Sequence, residues 1–483
     1  MSKFTRRRFL EDSLLAAAAM AAAPATRAFT AEPQSTSANE RLSVAVVGVN
    51  GRGRSHIGEF AGRSDTVITY IVDPDENLGI GHAKGLSEKQ GVECKYVKDL
   101  REAFDDKSLD IVSIATPNHW HSLASIWAMQ AGKDVYVEKP VSHNVSEGRR
   151  MVETARKYKK ICQTGTQCRS MGGSIDAIKY VHAGKIGEVK LARGLCYKRR
   201  GSIGAPGIFD PPPGVDYNLW QGPASERPIT RPKFHYDWHW QYHWGNGDMG
   251  NQGPHQMDLA RWGLQADQLS DRVISYGGRL GYEDAGDVAN TQVAIHQCGE
   301  KTLVFEVRGL ETDALRGAKI GVIFYGSEGY VVLTSYTSGA AFDLAGNVVE
   351  KFDGGGDHFG NFVKAVRSRN HEDLTADILE GHLSAALAHT GTISYRLGEA
   401  ISLADLQKEL GNVKSNDDSV EALERTVAHL AKNGVDLAKT PMALGPMLTM
   451  DPKTETFLGN DQANAMLTRD YRKPFVVPPA GEV

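Results

Sequence analysis

The sequence predicts an α/β protein, with a doubly wound parallel sheet in its N-terminal part and an α+β domain built on a large, mostly antiparallel open sheet after it. Three observations predict this. Short β-branched runs between residues 42 and 137 alternate with stretches of helical spacing, the pattern of βαβ units. Beyond about Gly165 the alternation gives way to longer strand-like segments joined by glycine-containing turns. The chain has 483 residues, 41% apolar and 24% charged, which is long enough for two or three domains and too apolar for a disordered chain.

Taken in order, the chain opens on Thr5-Arg6-Arg7-Arg8-Phe9-Leu10, an apolar run from Leu14 to Ala23, and the small-residue stretch Ala25-Thr26-Arg27-Ala28. Basic, apolar and small residues arrive in the order an export signal requires, here of the twin-arginine type, so residues 1–31 are expected to be a signal peptide and 32–40 a linker. The apolar run is far short of the roughly 20 residues a membrane-spanning helix needs, and no cysteine follows it to carry a lipid. The twin-arginine translocase moves folded proteins, which predicts a periplasmic or exported protein that leaves the cytoplasm with any small-molecule cofactor already loaded.

Residues 41–165 form the first domain. Leu42 to Val47 reads as a buried parallel strand ending at Gly48, Val67 to Val72 as a second ending at Asp73, Asp110 to Ala115 as a third ending at Thr116-Pro117-Asn118, and Lys133 to Val137 as a fourth closing on Glu138-Lys139-Pro140. Ser122 to Ala131 and Val145 to Tyr158 have helical spacing. In such sheets ligands bind at the carboxyl ends of the strands, and every motif just named falls at one. Residues 166–483 form the second domain, expected to bind substrate and join copies, with strands at 189–197, 291–296, 302–308, 320–325 and 330–334, a Pro/Gly-rich excursion from Gly201 to Pro232, helices near 357–369 and 379–395, and a C-terminal helical extension. An irregular segment as long as that excursion is usually functional.

Composition removes several function classes. A net charge of -4 leaves no electrostatic footprint for nucleic acid. Five cysteines, none at CxxC spacing, make neither a disulfide scaffold nor a thiolate metal site.

The turn Gly48-Val49-Asn50-Gly51-Arg52-Gly53 follows a strand and precedes a helix, where the backbone must bend tightly and approach a pyrophosphate at the helix start. Asp73 lies about 20 residues further on, where a carboxylate binds the adenosine ribose hydroxyls. This is a Rossmann-type dinucleotide site made by Gly48, Asn50, Gly51, Arg52, Gly53 and Asp73, with Thr116, Pro117, Asn118, His121, Glu138 and Lys139 at the neighbouring strand ends. Asp73 repels a 2'-phosphate, so NAD is favoured over NADP, with Arg52 or Arg54 able to offset that repulsion.

Ala115-Thr116-Pro117-Asn118-His119-Trp120-His121, Glu138-Lys139-Pro140 and Gly253-Pro254-His255-Gln256-Met257-Asp258 together resemble the signature of the glucose-fructose oxidoreductase, inositol dehydrogenase and rhizopine catabolism (Gfo/Idh/MocA) family. The resemblance extends over nearly all of the mature chain. It is closest to exported bacterial members with a twin-arginine start and an ending like Asp470-Tyr471-Arg472-Lys473-Pro474-Phe475. It implies a lysine and a histidine flanking the substrate carbon opposite the nicotinamide, here Lys139 and His255, and association of copies into a dimer or tetramer through the open face of the second sheet. The chemistry suits these types: oxidising an alcohol needs a base for the hydroxyl proton and a cation for the developing alkoxide. Many such dehydrogenases carry Asp four residues before the histidine. This chain has Asn251, which orients a hydroxyl but holds no charge, and Asp248 is the nearest carboxylate that could stand in.

The segment Phe234 to Trp244 holds three of the seven tryptophans, interleaved with His, Asp and Gln. Aromatic faces pack on the C–H faces of sugar rings while the polar groups bond hydroxyls, so Tyr236, Trp238, His239, Trp240 and His243 are expected at a carbohydrate site, joined by His119, Arg169 and His255. The same segment also suits an aromatic-rich domain or subunit interface. No metal is predicted, although His235, His239 and His243 stand at four-residue spacing and would share one stripe of a helix.

The leading expectation is therefore an exported NAD-dependent oxidoreductase acting on a sugar, cyclitol or sugar derivative and holding its cofactor tightly. One alternative is an NAD-dependent glycoside-cleaving enzyme that oxidises a ring hydroxyl, eliminates the aglycone and reduces the ring again, with His235, His239 or Tyr242 as the base. Another is a non-catalytic sugar-binding protein on a Rossmann fold.

Overall fold

A computed structural model describes residues 41–483. The expected signal peptide and linker lie outside the described residues.

The first domain is a six-stranded parallel sheet: β1 (Leu42–Val47), β2 (Thr66–Val72), β3 (Lys95–Val97), β4 (Ile111–Ile114), β5 (Asp134–Val137) and β6 (Cys162–Thr164). Their order across the sheet is β3-β2-β1-β4-β5-β6, so the chain reverses direction of growth between β1 and β4. A crevice opens at that switch point, outside the strands' carboxyl ends. Helices α1 (Arg52–Ala61), α2 (Glu76–Gln90), α3 (Leu100–Phe104), α4 (Asn118–Gln130) and α5 (Val145–Lys157) cover the two faces. Strands covered on both sides must be apolar throughout, and Val44 to Val47 and Ile111 to Ile114 are buried without exception. The helix starts are set by side-chain caps: Asp75 accepts from Asn77 N, and Asn144 accepts from Glu147 N. The helix foreseen from Ser122 begins four residues earlier, at Asn118, directly behind Pro117.

The second domain is a mixed, mostly antiparallel sheet. Helix α6 (Gly172–His182) leads into β7 (Val189–Cys196); two short helices, α7 (Tyr217–Gln221) and α8 (Gly247–Asn251), then precede α9 (Gly253–Leu264). Strands β8 (Arg272–Gly278), β9 (Thr291–Cys298), β10 (Lys301–Arg308), β11 (Ile320–Gly326), β12 (Gly329–Leu333), β13 (Ser338–Asp343) and β14 (Val348–Asp353) follow. The order is β14-β13-β12-β11-β7-β10-β9-β8, and β7 with β10 is a parallel pair. Helix α10 (His358–Ser368) returns to pack on the first domain, and α11 (Ile378–Arg396) packs with α6 and α9 on the inner face of the sheet.

A C-terminal helical extension is expected, but not that its helices lie on the outer face of the sheet. Helices α12 (Leu403–Gly411) and α13 (Ser419–Lys432) lie over β8, β9 and β10, where Leu406, Leu410, Leu423 and Leu430 meet Ile274, Val293, Ile295 and Val304. Arg425 reaches from α13 to the fully buried Glu306 on β10 (2.9 and 3.0 Å). Burial alone would raise the Glu306 pKa, but Arg193 and Arg425 hold that carboxyl well below its ordinary value. The chain thus covers the β8–β10 part of the face expected to join copies, while toward the opposite edge, on β12–β14, Tyr330 and Phe342 are half-buried and Val349 is exposed.

No helix among the described residues is long and apolar enough to cross a membrane.

Candidate active site

A cleft of about 630 Å³ runs along the carboxyl edge of the parallel sheet, from Asp73, Pro74 and Leu78 at one end to Lys139, His255 and Tyr336 at the other. At its floor Gly48 adopts φ +81°, and a Cβ there would stand 2.8 Å from the Ala115 carbonyl and the Thr116 nitrogen. A Cβ on Gly53 would stand 1.9 Å from the Gly48 carbonyl oxygen, so Gly53 serves close packing of helix against strand and does not itself line the cleft. Gly51, at φ +50°, has open space beside it, and no side chain caps the start of α1. An uncapped helix start facing a cleft is an anion site.

Asp73 is buried at the end of β2, its two carboxylate oxygens accepting from Val49 N and Asp75 N at 2.9 Å each. Burial pushes its pKa up to about 6. Each oxygen keeps a lone pair for a further donor, the arrangement a ribose diol fits. Arg52 is drawn away from this end: its Nε donates to Glu138 Oε1 at 2.7 Å, and Glu138 is also within 3.1 Å of His56 Nε2. With Arg52 committed to Glu138, a 2'-phosphate would meet Asp73 with one of its two foreseen counter-charges removed. The glycine floor, the uncapped α1 and the two-oxygen carboxylate fit a dinucleotide of the NAD type.

At the other end, Lys139 projects from the end of β5 and donates to Asn251 O at 2.5 Å and to Asn251 Oδ1 at 3.3 Å. Asn251 Nδ2 donates in turn to Asp248 (3.4 Å), and Asp248 is gripped by Arg200 through Nε (2.9 Å) and Nη2 (2.6 Å). Asp248 is thus spent on Arg200 and does not replace the missing acid, although its charge reaches Lys139 through the Asn251 amide. Burial lowers the Lys139 pKa from its ordinary value. His255 sits in the first turn of α9, behind Pro254, with its ring 4.7 Å from that of Tyr336. Burial, and then the neighbouring Lys139 charge, drive its pKa well down, so the imidazole is neutral; its Nδ1 is buried with no hydrogen-bond partner.

The excursion from Gly201 crosses the cleft as a strap. Asp216 N donates to Pro74 O (2.8 Å), Glu76 N to Gly214 O (3.1 Å) and Asn77 Nδ2 to Pro213 O (2.7 Å), while His235 Nε2 stands 3.0 Å from Asp75 Oδ2. Leu219, Trp220, His235, Tyr236, Trp238 and His239 of this strap line the cleft, so it forms a wall of the dinucleotide site. The Asp470 to Phe475 motif holds the strap down. Arg472 bonds Asn218 through both terminal nitrogens (2.5 and 2.7 Å), and the buried Phe475 packs edge-on against Trp120 and tilted against Trp127 of α4.

Several sequence expectations need correction. Arg169 is not at the site: it is buried, donating to Asp258 (2.7 Å) and Glu380 (2.8 Å) and tying α9 to α11. His119 is buried between the Trp220 and Trp244 carbonyls (2.9 and 3.3 Å) and anchors the strap from behind. Trp240 is buried with Arg200 over its ring at 4.9 Å, and His243 bonds the Ser225 carbonyl at 2.7 Å; neither lines the cleft. The three histidines do not share a helical stripe, because Asp237–Trp240 is one short 3-10 turn, and His235, His239 and His243 bond to Asp75, the Tyr236 carbonyl and Ser225 respectively. Asn50, Thr116, Pro117, Asn118, His121, Glu138, Tyr236, Trp238 and His239 do line the cleft, and His121 bridges the carbonyls of Pro140 and Thr116. Gln167, Gln252 and Tyr336 line it as well and were not foreseen. Gln252 and Gln167 stand beside named candidates, whereas Tyr336 comes from the β12–β13 turn, where no motif marks it.

A dinucleotide cleft that ends on a buried lysine and histidine beneath a mixed sheet defines a two-domain nicotinamide-nucleotide oxidoreductase fold. Residues 42–166 match an oxidoreductase family's NAD-binding Rossmann fold and residues 208–429 match the same family's C-terminal alpha/beta domain. The chain belongs to the Gfo/Idh/MocA oxidoreductase family.

Inositol 2-dehydrogenase of Salmonella typhimurium is 26% identical over 157 residues, 32% of this chain and 46% of that protein. A glycosyl hydrolase family 109 protein of Saccharopolyspora erythraea is 27% identical over 161 residues, 32% of this chain and 35% of that protein. The chain thus spans less than half the length of these curated relatives. Among solved structures, levoglucosan dehydrogenase in complex with NADH and levoglucosan matches with a TM-score of 0.55 at 17% identity, covering 84% of this chain and 100% of that one. The WlbA dehydrogenase from Bordetella pertussis, in complex with NADH and UDP-GlcNAcA, matches with a TM-score of 0.53 at 17% identity, covering 72% and 94%. At that identity the likeness is one of fold.

Proposed function

We propose that this protein is an exported, NAD-dependent oxidoreductase that acts on a hydroxyl of a sugar, cyclitol or sugar derivative and keeps its NAD bound through turnover. The observation that carries the reading is the placement of Lys139 and His255 together at the end of the dinucleotide cleft, under a wall of aromatic and amide side chains. NAD, when bound, supplies the acceptor for hydride from the substrate carbon. The chain's residues do the rest. Neutral His255 accepts the hydroxyl proton, Lys139 donates to the oxygen on which negative charge develops, and Asn251 fixes the ammonium in place. Trp238 and Tyr236 offer aromatic surface to a ring's C–H face, with Gln167 and Gln252 to bond its hydroxyls. The strap across the adenosine end favours retention of the cofactor, as loading before twin-arginine export requires. Any self-association of the kind the family resemblance implies would have to avoid β8–β10, because α12 and α13 cover that part of the sheet.

A redox-neutral, glycoside-cleaving use of the same site is the second reading, favoured by the glycosyl hydrolase family 109 relatives. Mature protein purified without added nucleotide tests both: extracts should contain NAD by mass spectrometry, and a panel of sugars and glycosides should reduce it. Stable reduction with a ketosugar product marks the dehydrogenase, and aglycone release with NAD unchanged marks the cleaving enzyme. Absence of bound NAD would remove the retention argument.

The depressed Lys139 pKa gives a pH prediction. Lys139 acts as a cation, so turnover falls as pH rises through its pKa, which lies below the ordinary lysine value of about 10.4. Asn251→Asp places a carboxylate beside Nζ, favours the ammonium and should move the alkaline limb of the kcat/KM profile upward by about 1 to 2 pH units. An unmoved limb would show that Lys139 does not control it.

A further inference from the structure

Among the described residues, four lysine and arginine side chains line the cleft, and three of them are committed. Arg52 donates to Glu138, Lys98 pairs with Glu76 at 2.8 Å, and Lys139 bonds Asn251 at the inner end. The fourth, Lys233, lies on the strap, exposed, and makes neither a hydrogen bond nor an ion pair with any described residue; its Nζ stands over the Tyr236 ring at 5.8 Å.

A second cation lies two residues before it. Arg231 is fully buried, and its guanidinium meets neutral acceptors, the Phe234 carbonyl (2.8 and 3.2 Å) and Gln241 Oε1 (3.0 Å). It stands 5.3 Å from the ring of Trp220, a wall of the cleft. A charge buried without a counter-charge is costly, and an anion held in the neighbouring cleft offsets that cost. Asp237 does not fill this role: burial raises its pKa while the Lys233 and Arg231 charges counter the rise, but it forms no ion pair with either and does not line the cleft.

The position fits a diphosphate. His235, two residues after Lys233, is held to Asp75 beside the Asp73 end of the cleft. The Tyr236 hydroxyl accepts from Arg200 Nη1 at 3.2 Å, and Arg200 grips Asp248 next to Asn251 and Lys139. The Lys233 ammonium thus lies between the carboxylate that fits the adenosine ribose and the lysine at the substrate end, the stretch a dinucleotide's two phosphates span. The uncapped start of α1 opens on the same cleft from the first domain, whereas Lys233 comes from the second.

Resting on the NAD reading above, we propose that Lys233 binds the cofactor's diphosphate and closes the strap over NAD as an ionic latch. The glycine turn and α1 offer backbone N–H groups from the floor, the ordinary dinucleotide arrangement. Lys233 adds a charge-assisted contact from the other domain, so the strap cannot lift from bound NAD without separating that pair. In an empty cleft the contact is missing, which leaves the strap easier to open while the protein loads. Because Lys233 is exposed, salt screens the latch.

The test follows loss of NAD from loaded mature protein by mass spectrometry during dialysis at low and at high KCl, and titrates the emptied protein with ADP and with adenosine by calorimetry. Lys233 has no hydrogen bond to lose, so its variants should fold. Lys233→Met should release NAD about 10- to 100-fold faster at low salt, lose most of the wild type's salt dependence, and bind ADP more weakly by a similar factor with adenosine unaffected. Lys233→Arg should behave as wild type. Unchanged release in Lys233→Met overturns the latch, as does salt-independent release in the wild type. A loss that falls equally on ADP and adenosine overturns it as well, since Lys233 would then act on the shape of the strap and not on phosphate. Wild type that binds neither NAD nor ADP overturns the NAD reading itself.

Discussion

Lys139→Met is expected to lower kcat about 1,000-fold while leaving NAD bound. The ammonium sits at the buried end of the cleft, where charge developing on the substrate oxygen has little solvent to disperse it, and one preorganised donor in such a place is worth roughly 100- to 1,000-fold. Methionine fills nearly the same volume and opens no cavity, so the loss reports on charge and not on packing. Cofactor content should persist, because the contacts that fit the dinucleotide's far end, Gly48, the start of α1 and Asp73, do not involve Lys139. Measured kcat with NAD occupancy by mass spectrometry on the same sample separates the outcomes. Undiminished turnover would remove Lys139 from the chemistry. Absence of turnover in the wild type, with NAD and sugar both bound, would favour the non-catalytic sugar-binding alternative.

The site was legible in the sequence wherever function sits at the end of a parallel strand. A run such as Val44 to Val47 must be buried on both faces, its end must turn, and a turn made of Gly48, Asn50 and Gly53 leaves little else for the backbone to do. The same logic placed Asp73, Glu138 and Lys139. It fails in the second domain, where side chains from distant elements converge without a local pattern. Arg169 and Gln167 occupy one 3-10 turn, and their neighbours alone decide that the arginine turns inward to Asp258 and Glu380 while the glutamine faces the cleft. Four-residue spacing of His235, His239 and His243 suggested a helical stripe, but spacing carries meaning only on a helix, and here the chain turns at Tyr236, at φ +68°, into a single 3-10 turn. The covering of the sheet by α12 and α13 was equally hidden, since amphipathic helices announce that they pack and not upon what. Composition alone gave the aromatic segment, and the structure divides it: Tyr236 and Trp238 reach the cleft, while Trp240 and Trp244 are buried behind it.

Phe475→Ala is expected to destabilise the protein by about 3 to 5 kcal/mol and to speed the release of NAD. The ring is almost wholly buried, between Trp120 and Trp127 and beneath the guanidinium groups of Arg101 (5.4 Å) and Arg472 (5.0 Å). Truncating a buried phenylalanine removes its transfer free energy and leaves a cavity, and the sum has that size. The further consequence comes from what the ring secures. Trp120 donates from Nε1 to the Leu219 carbonyl (2.9 Å), and Arg472, three residues before Phe475, bonds Asn218, so the tail and α4 grip the strap at neighbouring residues. Leu219 and Trp220 are themselves walls of the dinucleotide cleft. Loss of the ring therefore loosens one attachment of the strap while the contacts at Asp75 and Asn77 remain. Chemical denaturation gives the first quantity, and the loss of bound NAD during exhaustive dialysis, followed by mass spectrometry, gives the second. If the variant unfolds at lower denaturant yet holds NAD as long as the wild type, the tail braces the fold without governing the cofactor. Faster release restored by covalently joining strap and tail, through a cysteine pair at Asn218 and Arg472, would place retention in that attachment.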